Sequence, residues 1–555
     1  MTGRLRVVPD RAEFRRRAAE APLVPVHAEV VADLDTPVSA FARLGHATDW
    51  SFLLESVEGG EHWARQSLLG VGAQGVLRVR GGEASLTWLK GAGAAAAACA
   101  GTGSCEERFA ARDALAALEA VLGRMRPAAG EPGELPAFHG GAVGVLAYDA
   151  VRRFDGVRIP VRLAAPDGRD EAVFVLTDVV VVFDNRRHRA RLVKSVLTRG
   201  VGRMDGAATP AGVPAPGALD ALWEEAADEL HRLAQGFLVG GAGAPESATS
   251  PPPPAARSPS PDADDEAAPG VATDAATLLA CADRDDYLAA VRAAKEHLVA
   301  GDVIQVVLSQ RFAAAPGGPG ALEVYRALRQ DSPSPYLYLL AFPGGEVVGA
   351  SPEVLCRVED GTVTVRPIAG TRRRGIDAAE DRRLEDELRA DPKERAEHVM
   401  LLDLGRNDVG RVAQPGSVAV PERMAVERYS HVMHLVSTVT GRLRADLRPV
   451  DALRAAFPAG TLTGAPKVRA MQIIETLEPA RRGPYGGAVG WVAWGGRALD
   501  TAICIRTLWR EDGRWMAQAG AGIVLDSDPA CEHDECLAKS AALGAALRRA
   551  ARGVR

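Results

Sequence analysis

Asp391–Asp408 reads DPKERAEHVMLLDLGRND, and the rest of the chain is understood from this stretch outward. Asp391 followed by Pro392 starts a helix, because the carboxylate can cap free backbone N–H groups and proline suits the first helical position. From Lys393 the pattern is helical, with Ala396, Val399, Met400, Leu401, Leu402 and Leu404 recurring on one side. Glu394 and Glu397 are three apart and stand one above the other on a single face. Two stacked carboxylates beside an apolar stripe cost energy unless a cation or a proton sits between them.

Asp526–Ser540, DSDPACEHDECLAKS, mirrors it near the C-terminus. Asp528–Pro529 again starts a helix, and Glu532, Glu535 and Lys539 share one face. Taken together, the two helices can hold a hard divalent cation such as Mg²⁺ through carboxylate oxygens, with positions left for water and an anionic substrate. Taken separately, they are two solvated amphipathic faces. Spacing alone leaves both readings open.

Composition narrows the class. A chain of 555 residues with 47% hydrophobic and 25% charged residues is globular in type, and a net charge of -6 gives no reason to expect nucleic acid or an anionic membrane as a partner. Seven cysteines without framework spacing point to reduced thiols and a cytoplasmic location. Cys531, His533 and Cys536 suggest zinc only weakly, since no second cysteine pair accompanies them. The opening residues lack the apolar core of a signal peptide, and no run approaches the ~18 apolar residues of a membrane span.

In chain order, residues 1–36 read as a helical lead-in. A short helix over Val38, Phe41 and Leu44 follows, then strands at 50–54, 75–80, 84–89 and 172–183. Ala92–Gly101 is low in complexity. FHGGAVGVLAYD, Phe138–Asp149, has glycines but not the spacing of a dinucleotide-binding turn. The stretch 240–275, with PPPPAARSPSPDADDEAAPG, buries too little apolar surface to fold and marks a linker. It separates an N-terminal region, 1–239, from a catalytic region, 276–550. The mixture of strands and long helices predicts an α+β fold rather than regular βαβ alternation.

PIAGTRRRG (367–375), HVMLLDLGRND (398–408), GTLTGAPKVRAMQIIE (460–475) and AGAGIVLDSDP (519–529) occur together and in this order. With TPVSAFARL…SFLLES and FHGGAVGVLAYD, they make the chain similar to the chorismate-utilising enzyme family, and within it to the anthranilate synthase large-subunit branch. The resemblance covers nearly the whole chain. It implies an antiparallel β-sheet sandwich flanked by helices, with the active site in a cleft, and conversion of chorismate plus ammonia to anthranilate and pyruvate.

The resemblance also implies roles for individual residues. Glu397 and Glu535 would ligate Mg²⁺, with Glu394 and Glu532 in support. Glu353 in GASPE would be the general acid for the departing hydroxyl, a task that needs a raised pKa. His434 and Thr461 would complete the catalytic set. Gly370, Thr371, Tyr485, Arg506, Gly520, Ala521, Gly522 and Lys539 would surround the substrate. Taken alone, His434 among Val432, Met433, Leu435 and Val436 reads more readily as a core histidine, and the motif match reverses that.

Two positions select the reaction within the family. Gln305 stands where members that add water carry a lysine base, and an amide cannot deprotonate water. Ala369 stands where many aminodeoxychorismate synthases carry a lysine that attacks the ring. Both favour ammonia as nucleophile, followed by loss of pyruvate. No glutaminase-like nucleophile is evident, so a separate glutamine amidotransferase subunit, and a hetero-oligomer, are implied. Glu55 and Ser56 of LLES, with Pro335, Tyr336 and Leu337 of SPSPYLY, resemble the family's elements for feedback inhibition by tryptophan. Leu337 and Ala502 differ from the Met and Cys of some relatives.

Overall fold

The structure, a computed structural model, describes residues 5–44, 50–56, 66–89, 105–130, 133–154, 156–159, 169–200, 212–238, 274–429 and 432–554. Ala92–Gly101, and all of the linker 240–275 but its last two residues, lie outside them.

Two long strands organise the molecule, Gln66–Arg80 and Ala172–Asp184, which pair with each other antiparallel along most of their length. A register shift between Ala73 and Gly75 bends the ladder, so that each strand serves two sheets. The early half of Gln66–Arg80 pairs with Ser51–Glu55, and that strand continues through Tyr336–Phe342, Gly345–Ser351, Thr507–Glu511 and Arg514–Ile523 to Gln305–Pro316. The early half of Ala172–Asp184 pairs with Gly141–Leu146, leading through Ala488–Ala493, Leu499–Ile503, Val354–Glu359 and Thr362–Val365 to Val432–Arg442. The two walks face each other across one core that holds Phe52, Tyr338, Leu340, Leu146, Val489 and Ala502. This is the expected α+β sandwich, and every pairing between named strands is antiparallel.

Strands from both sides of the linker share these sheets, since Ser51–Glu55 pairs with Tyr336–Phe342 and Gly141–Leu146 pairs with Ala488–Ala493. The boundary read from composition is therefore a boundary in the chain. The cores run across it.

Local expectations fare well where the pattern is strong. Asp391 caps the helix Pro392–Gly410 by accepting from the N–H groups of Lys393 and Glu394, and Asp528 caps Pro529–Ala551 in the same way. The apolar face of the first helix is rotated from the expected one. Ala396 and Val399 are exposed, and the buried side is His398, Leu401, Leu402, Gly405, Asp408 and Val409. The helical lead-in is also corrected: only Arg11–Glu20 is helix, and Leu23–Val31 is a strand. Its LVPVHAEVV is rich in β-branched residues, and it pairs with Arg189–Leu197 along its whole length.

Candidate functional site

Glu353 sits in the break between Gly345–Ser351 and Val354–Glu359, only 7% exposed. Its backbone is held by Ile503, whose N–H donates to the Glu353 carbonyl at 3.0 Å. Thr461 Oγ1 donates to Glu353 Oε1 at 3.0 Å. Burial pushes the carboxyl up to about 8, against which the Thr461 bond works in the opposite sense. At neutral pH this group is a carboxylic acid with a proton to give. Thr461 rides on the short helix Gly460–Thr463, which lies against the acidic-pair helix: a Cβ on Gly460 would stand 2.6 Å from Leu404 Cδ1.

His434 lies on Val432–Arg442 opposite Thr371, where a bulge between Ala369 and Thr371 lifts Gly370 out of the ladder at φ +69°. His434 Nδ1 is 2.9 Å from the Gly370 carbonyl and 3.1 Å from Thr371 Oγ1. A carbonyl only accepts, so Nδ1 carries the hydrogen and donates it. Burial, first among the causes, lowers the histidine's pKa, which leaves a neutral ring with a lone pair on Nε2. The imidazole is thus oriented by the bulged Gly370–Thr371 segment rather than idle in the core.

The acidic residues converge. Glu397 accepts from Gln305 Nε2 at 3.5 Å, and its pKa is raised by burial, then by Glu394 and Glu535. Glu532 is raised by burial and by Glu535. Glu394 is already balanced, since Arg372 Nη1 donates to it at 3.1 Å while Arg372 Nη2 reaches Asp391 at 2.7 Å. Glu535 is joined by Lys539 at 2.6 Å, and Lys539 Nζ also donates to the Gly520 carbonyl at 2.8 Å. Glu394 and Glu535 thus act on Glu397, and Glu535 on Glu532, so the carboxylates of the two helices stand close enough to offer oxygens to one divalent cation. Among the described residues no group of three or more His, Cys, Asp or Glu side chains is placed to hold a metal ion. Mg²⁺ takes one or two carboxylates and keeps waters and substrate oxygens. The zinc alternative has no such support: Cys531 is exposed, whereas Cys536 is buried against the Tyr287 hydroxyl at 3.3 Å.

Beside the acidic residues, reached through Lys539 and Gln305, lies a glycine-rich strand wall. Gly520, Ala521 and Gly522 lie on Arg514–Ile523, in register with Ser309, Leu308 and Val307. A Cβ on Gly520 would stand 2.7 Å from the Tyr485 hydroxyl, and one on Gly522 would stand 2.4 Å from Gln305 Nε2. Only glycine leaves room there for the Tyr485 hydroxyl and the Gln305 amide. The Ala521 methyl faces the other way, into the packing of Arg284–Val299 and Lys467–Leu477, so Ala521 offers this wall its backbone alone. Arg506 has a left-handed backbone, φ +51°, and is exposed to solvent, yet burial by surrounding protein lowers its pKa. Accessibility inside a shell of protein is what the wall of a cleft shows. Tyr485 is buried, its phenol pushed up by burial and pulled down by Arg482 and Arg506.

The second expected site is a cavity of about 300 Å³ between the two sheets, lined by Ser56, Pro335, Tyr336, Tyr338, Phe138, Trp491, Arg357 and Asp500 among others. Tyr336 donates to Asp500 Oδ1 at 2.7 Å. Strand alternation divides the expected set. Tyr336, with Tyr338 and Leu340, belongs to the core between the sheets, while Leu337 belongs to the helix-covered core on the other face. Glu55 is in register with Leu337 and accepts from Tyr325 and from Arg329 Nε at 3.1 Å. Ser56 and Tyr336 can therefore present side chains to the cavity, whereas Glu55 and Leu337 reach its edge through the backbone, and Pro335 lines it from just before the strand.

Two buried ion pairs and one half-buried cluster are not read from the sequence. Lys467 Nζ pairs with Asp408 at 2.9 Å, Arg372 joins Asp391 to Glu394, and Arg482 pairs with Glu478 beneath Tyr485. Asp408 and Lys467 sit inside motifs already singled out, and Glu478–Arg482 has the i, i+4 spacing of an ion pair. That spacing was the available signal.

Comparison with known proteins gives a consistent outcome. Residues 84–544 match the family model described as chorismate binding enzyme. Anthranilate synthase component 1 of Pseudomonas aeruginosa is 43% identical over 557 residues, covering 98% of this chain and 100% of its own. The protein of the same name from Streptomyces coelicolor is 44% identical, covering 98% of this chain and 92% of its own. Among solved structures, anthranilate synthase component I from Streptococcus pneumoniae superposes with a TM-score of 0.65 at 31% identity, covering 93% of this chain and 98% of that one. The menaquinone-specific isochorismate synthase of Escherichia coli shares the fold, with a TM-score of 0.62 at 17% identity over 97% of this chain and 98% of that one.

Proposed function

This chain belongs to the chorismate-binding enzyme family, and from that membership we propose that it is the synthase component that converts chorismate and ammonia to anthranilate and pyruvate. The observation that carries the chemistry is the Glu353 carboxyl, buried and protonated near neutrality in the grip of Thr461. The C4 hydroxyl of chorismate is a poor leaving group and departs as water only if it takes up a proton, which Glu353 supplies. Ammonia adds at C2. Gln305, an amide beside Glu397, offers no base that would activate water in its place. Loss of the enolpyruvyl side chain as pyruvate, with the C2 proton, then gives the aromatic ring.

Arg506, Tyr485 and the backbone of Gly520 and Gly522 would hold the enolpyruvyl carboxylate, with Gly370 and Thr371 at the ring. His434 offers a lone pair on Nε2 beside that ring. Glu397 and Glu535 would hold Mg²⁺, with Glu394 and Glu532 in support. When bound, the ion supplies positive charge for the substrate's ring carboxylate. Lys539 limits the repulsion around Glu535. The relatives' designation as component 1 implies a partner component, and we assign it the release of ammonia from glutamine. The cavity beside Ser56 and Tyr336 would take tryptophan as feedback inhibitor.

Incubation of the purified chain with chorismate, Mg²⁺ and ammonium at mildly alkaline pH tests the proposal. Anthranilate plus pyruvate is expected. Aminodeoxychorismate without pyruvate, or isochorismate, would overturn the assigned reaction.

A further inference from the structure

Arg482 is only 1% exposed and touches nothing that reacts. Its guanidinium donates in three directions. Nη1 reaches the Leu462 carbonyl at 2.6 Å, Nη2 the Val307 carbonyl at 2.9 Å, and Nε and Nη2 the two Glu478 oxygens at 2.9 and 2.7 Å. It also lies over two rings, 4.7 Å from the centre of Tyr148 and 5.6 Å from that of Tyr485.

Each contact leads to a different wall of the cleft. Leu462 follows Thr461, which holds Glu353. Val307 stands opposite Gly522. Glu478 accepts from the N–H and hydroxyl of Ser309, at 2.9 and 2.6 Å, and Ser309 stands opposite Gly520. Because the Ser309 hydroxyl donates to Glu478, its oxygen accepts from Gln518 Nε2, at 2.8 Å. Tyr485, under the guanidinium, fills the space left by Gly520.

Stability does not explain this arrangement, because a buried ion pair is often replaced by apolar residues at little cost. The demand is geometric: two carbonyls, one carboxylate and two ring faces fixed at once. A planar five-donor fork meets it, and a lysine cannot.

We propose that Arg482 is a positioning residue that sets the proton-donating wall, Thr461 and Glu353, against the carboxylate-holding wall, Tyr485 and Gly520. The proposal rests on the reading of Glu353 as general acid. Arg482→Lys keeps the charge and loses the fork. With chorismate, Mg²⁺ and saturating ammonium, its kcat is expected to fall at least tenfold and its KM for chorismate to rise. The alkaline limb of the kcat profile should move to higher pH, the shift also expected when Thr461 is removed. In the double variant Arg482→Lys/Thr461→Val, kcat should be no lower than in the worse single variant.

Losses that multiply in the double variant, with the alkaline limb unmoved, would reduce Arg482 to a stability element and overturn the proposal. If Arg482→Lys does not fold, Glu478→Gln is read by the same two measures, since it removes the negative charge and one of the guanidinium's two bonds to this side chain and keeps those to Leu462 and Val307. An unmoved limb and KM there would overturn it too. Full activity in Glu353→Gln would instead sink the general-acid reading, and the KM effect of Arg482→Lys would still stand or fall on its own.

Discussion

Thr461 Oγ1 donates to Glu353 Oε1 at 3.0 Å, joining the short helix Gly460–Thr463 to the strand break at the heart of the cleft. Burial raises the Glu353 carboxyl to about 8, and the Thr461 bond tempers the rise. The pair fixes both the place of the proton and the pH at which it is lost.

Glu353→Gln keeps the shape and removes the proton donor. We expect kcat to drop by roughly 10²–10⁴, the range for general acid catalysis, with KM for chorismate little changed. The same variant has a signature in stability. A carboxyl raised from 4.5 to about 8 contributes stability in full below its unfolded value, and that contribution is lost as the pH rises through its folded value. Thermal unfolding should therefore favour the variant over the parent increasingly from about pH 5 to about pH 8.5, and a pH-independent difference would contradict the burial argument.

Thr461→Val removes the bond that lowers the Glu353 pKa. The alkaline limb of the kcat profile should move upward, with kcat at neutral pH reduced about tenfold as the acid loses its orientation. A downward shift would mean that Thr461 stabilises the neutral acid rather than the carboxylate.

Glu397→Gln takes away one of two carboxylates assigned to the cation. Half-saturation of activity by Mg²⁺ should require roughly 10–100 times more metal. Because burial and neighbouring carboxylates raise the pKa of Glu397, its affinity for the cation should weaken as pH falls through that raised value. Near-parental Mg²⁺ dependence would remove Glu397 from the site.

Ser56→Leu fills the cavity between the sheets from the side that faces it. Activity should stay within about twofold while inhibition by tryptophan is lost. Glu55→Gln should act differently, because Glu55 faces Tyr325 and Arg329. We expect a loss of about 1–3 kcal/mol in unfolding free energy from the weakened buried pair. Tryptophan titration and thermal unfolding of both variants separate the two roles.

Gly520→Ala should raise the KM for chorismate at least tenfold, since the new methyl would meet the Tyr485 hydroxyl, the Leu308 carbonyl and Ser309 within about 3 Å. Binding measured by competition with a chorismate analogue checks it, and unchanged binding would move the carboxylate away from this strand.

The sequence by itself determined the local structure with strong signals: the Asp–Pro helix starts at Asp391 and Asp528, the β-branched strand Ala172–Asp184, and the acidic pairs at i, i+3 spacing. Each rests on interactions between near neighbours in the chain. The family resemblance supplied the identities of the site residues, and it did so through ordered motifs rather than through periodicity. Tertiary structure alone decided which way those residues face. Val399 and Ala396 match a helical stripe, but contact with Val365 and Val439 at Gly405 turns the Gly405 side of the helix inward. Glu55 and Ser56 are adjacent in sequence and part company because a strand alternates its faces, one toward the Tyr325 helix and one toward the cavity. The pKa of Glu353 and the reach of Arg482 likewise depend on burial and on hydrogen-bond partners up to 175 residues away in sequence, which no local pattern encodes.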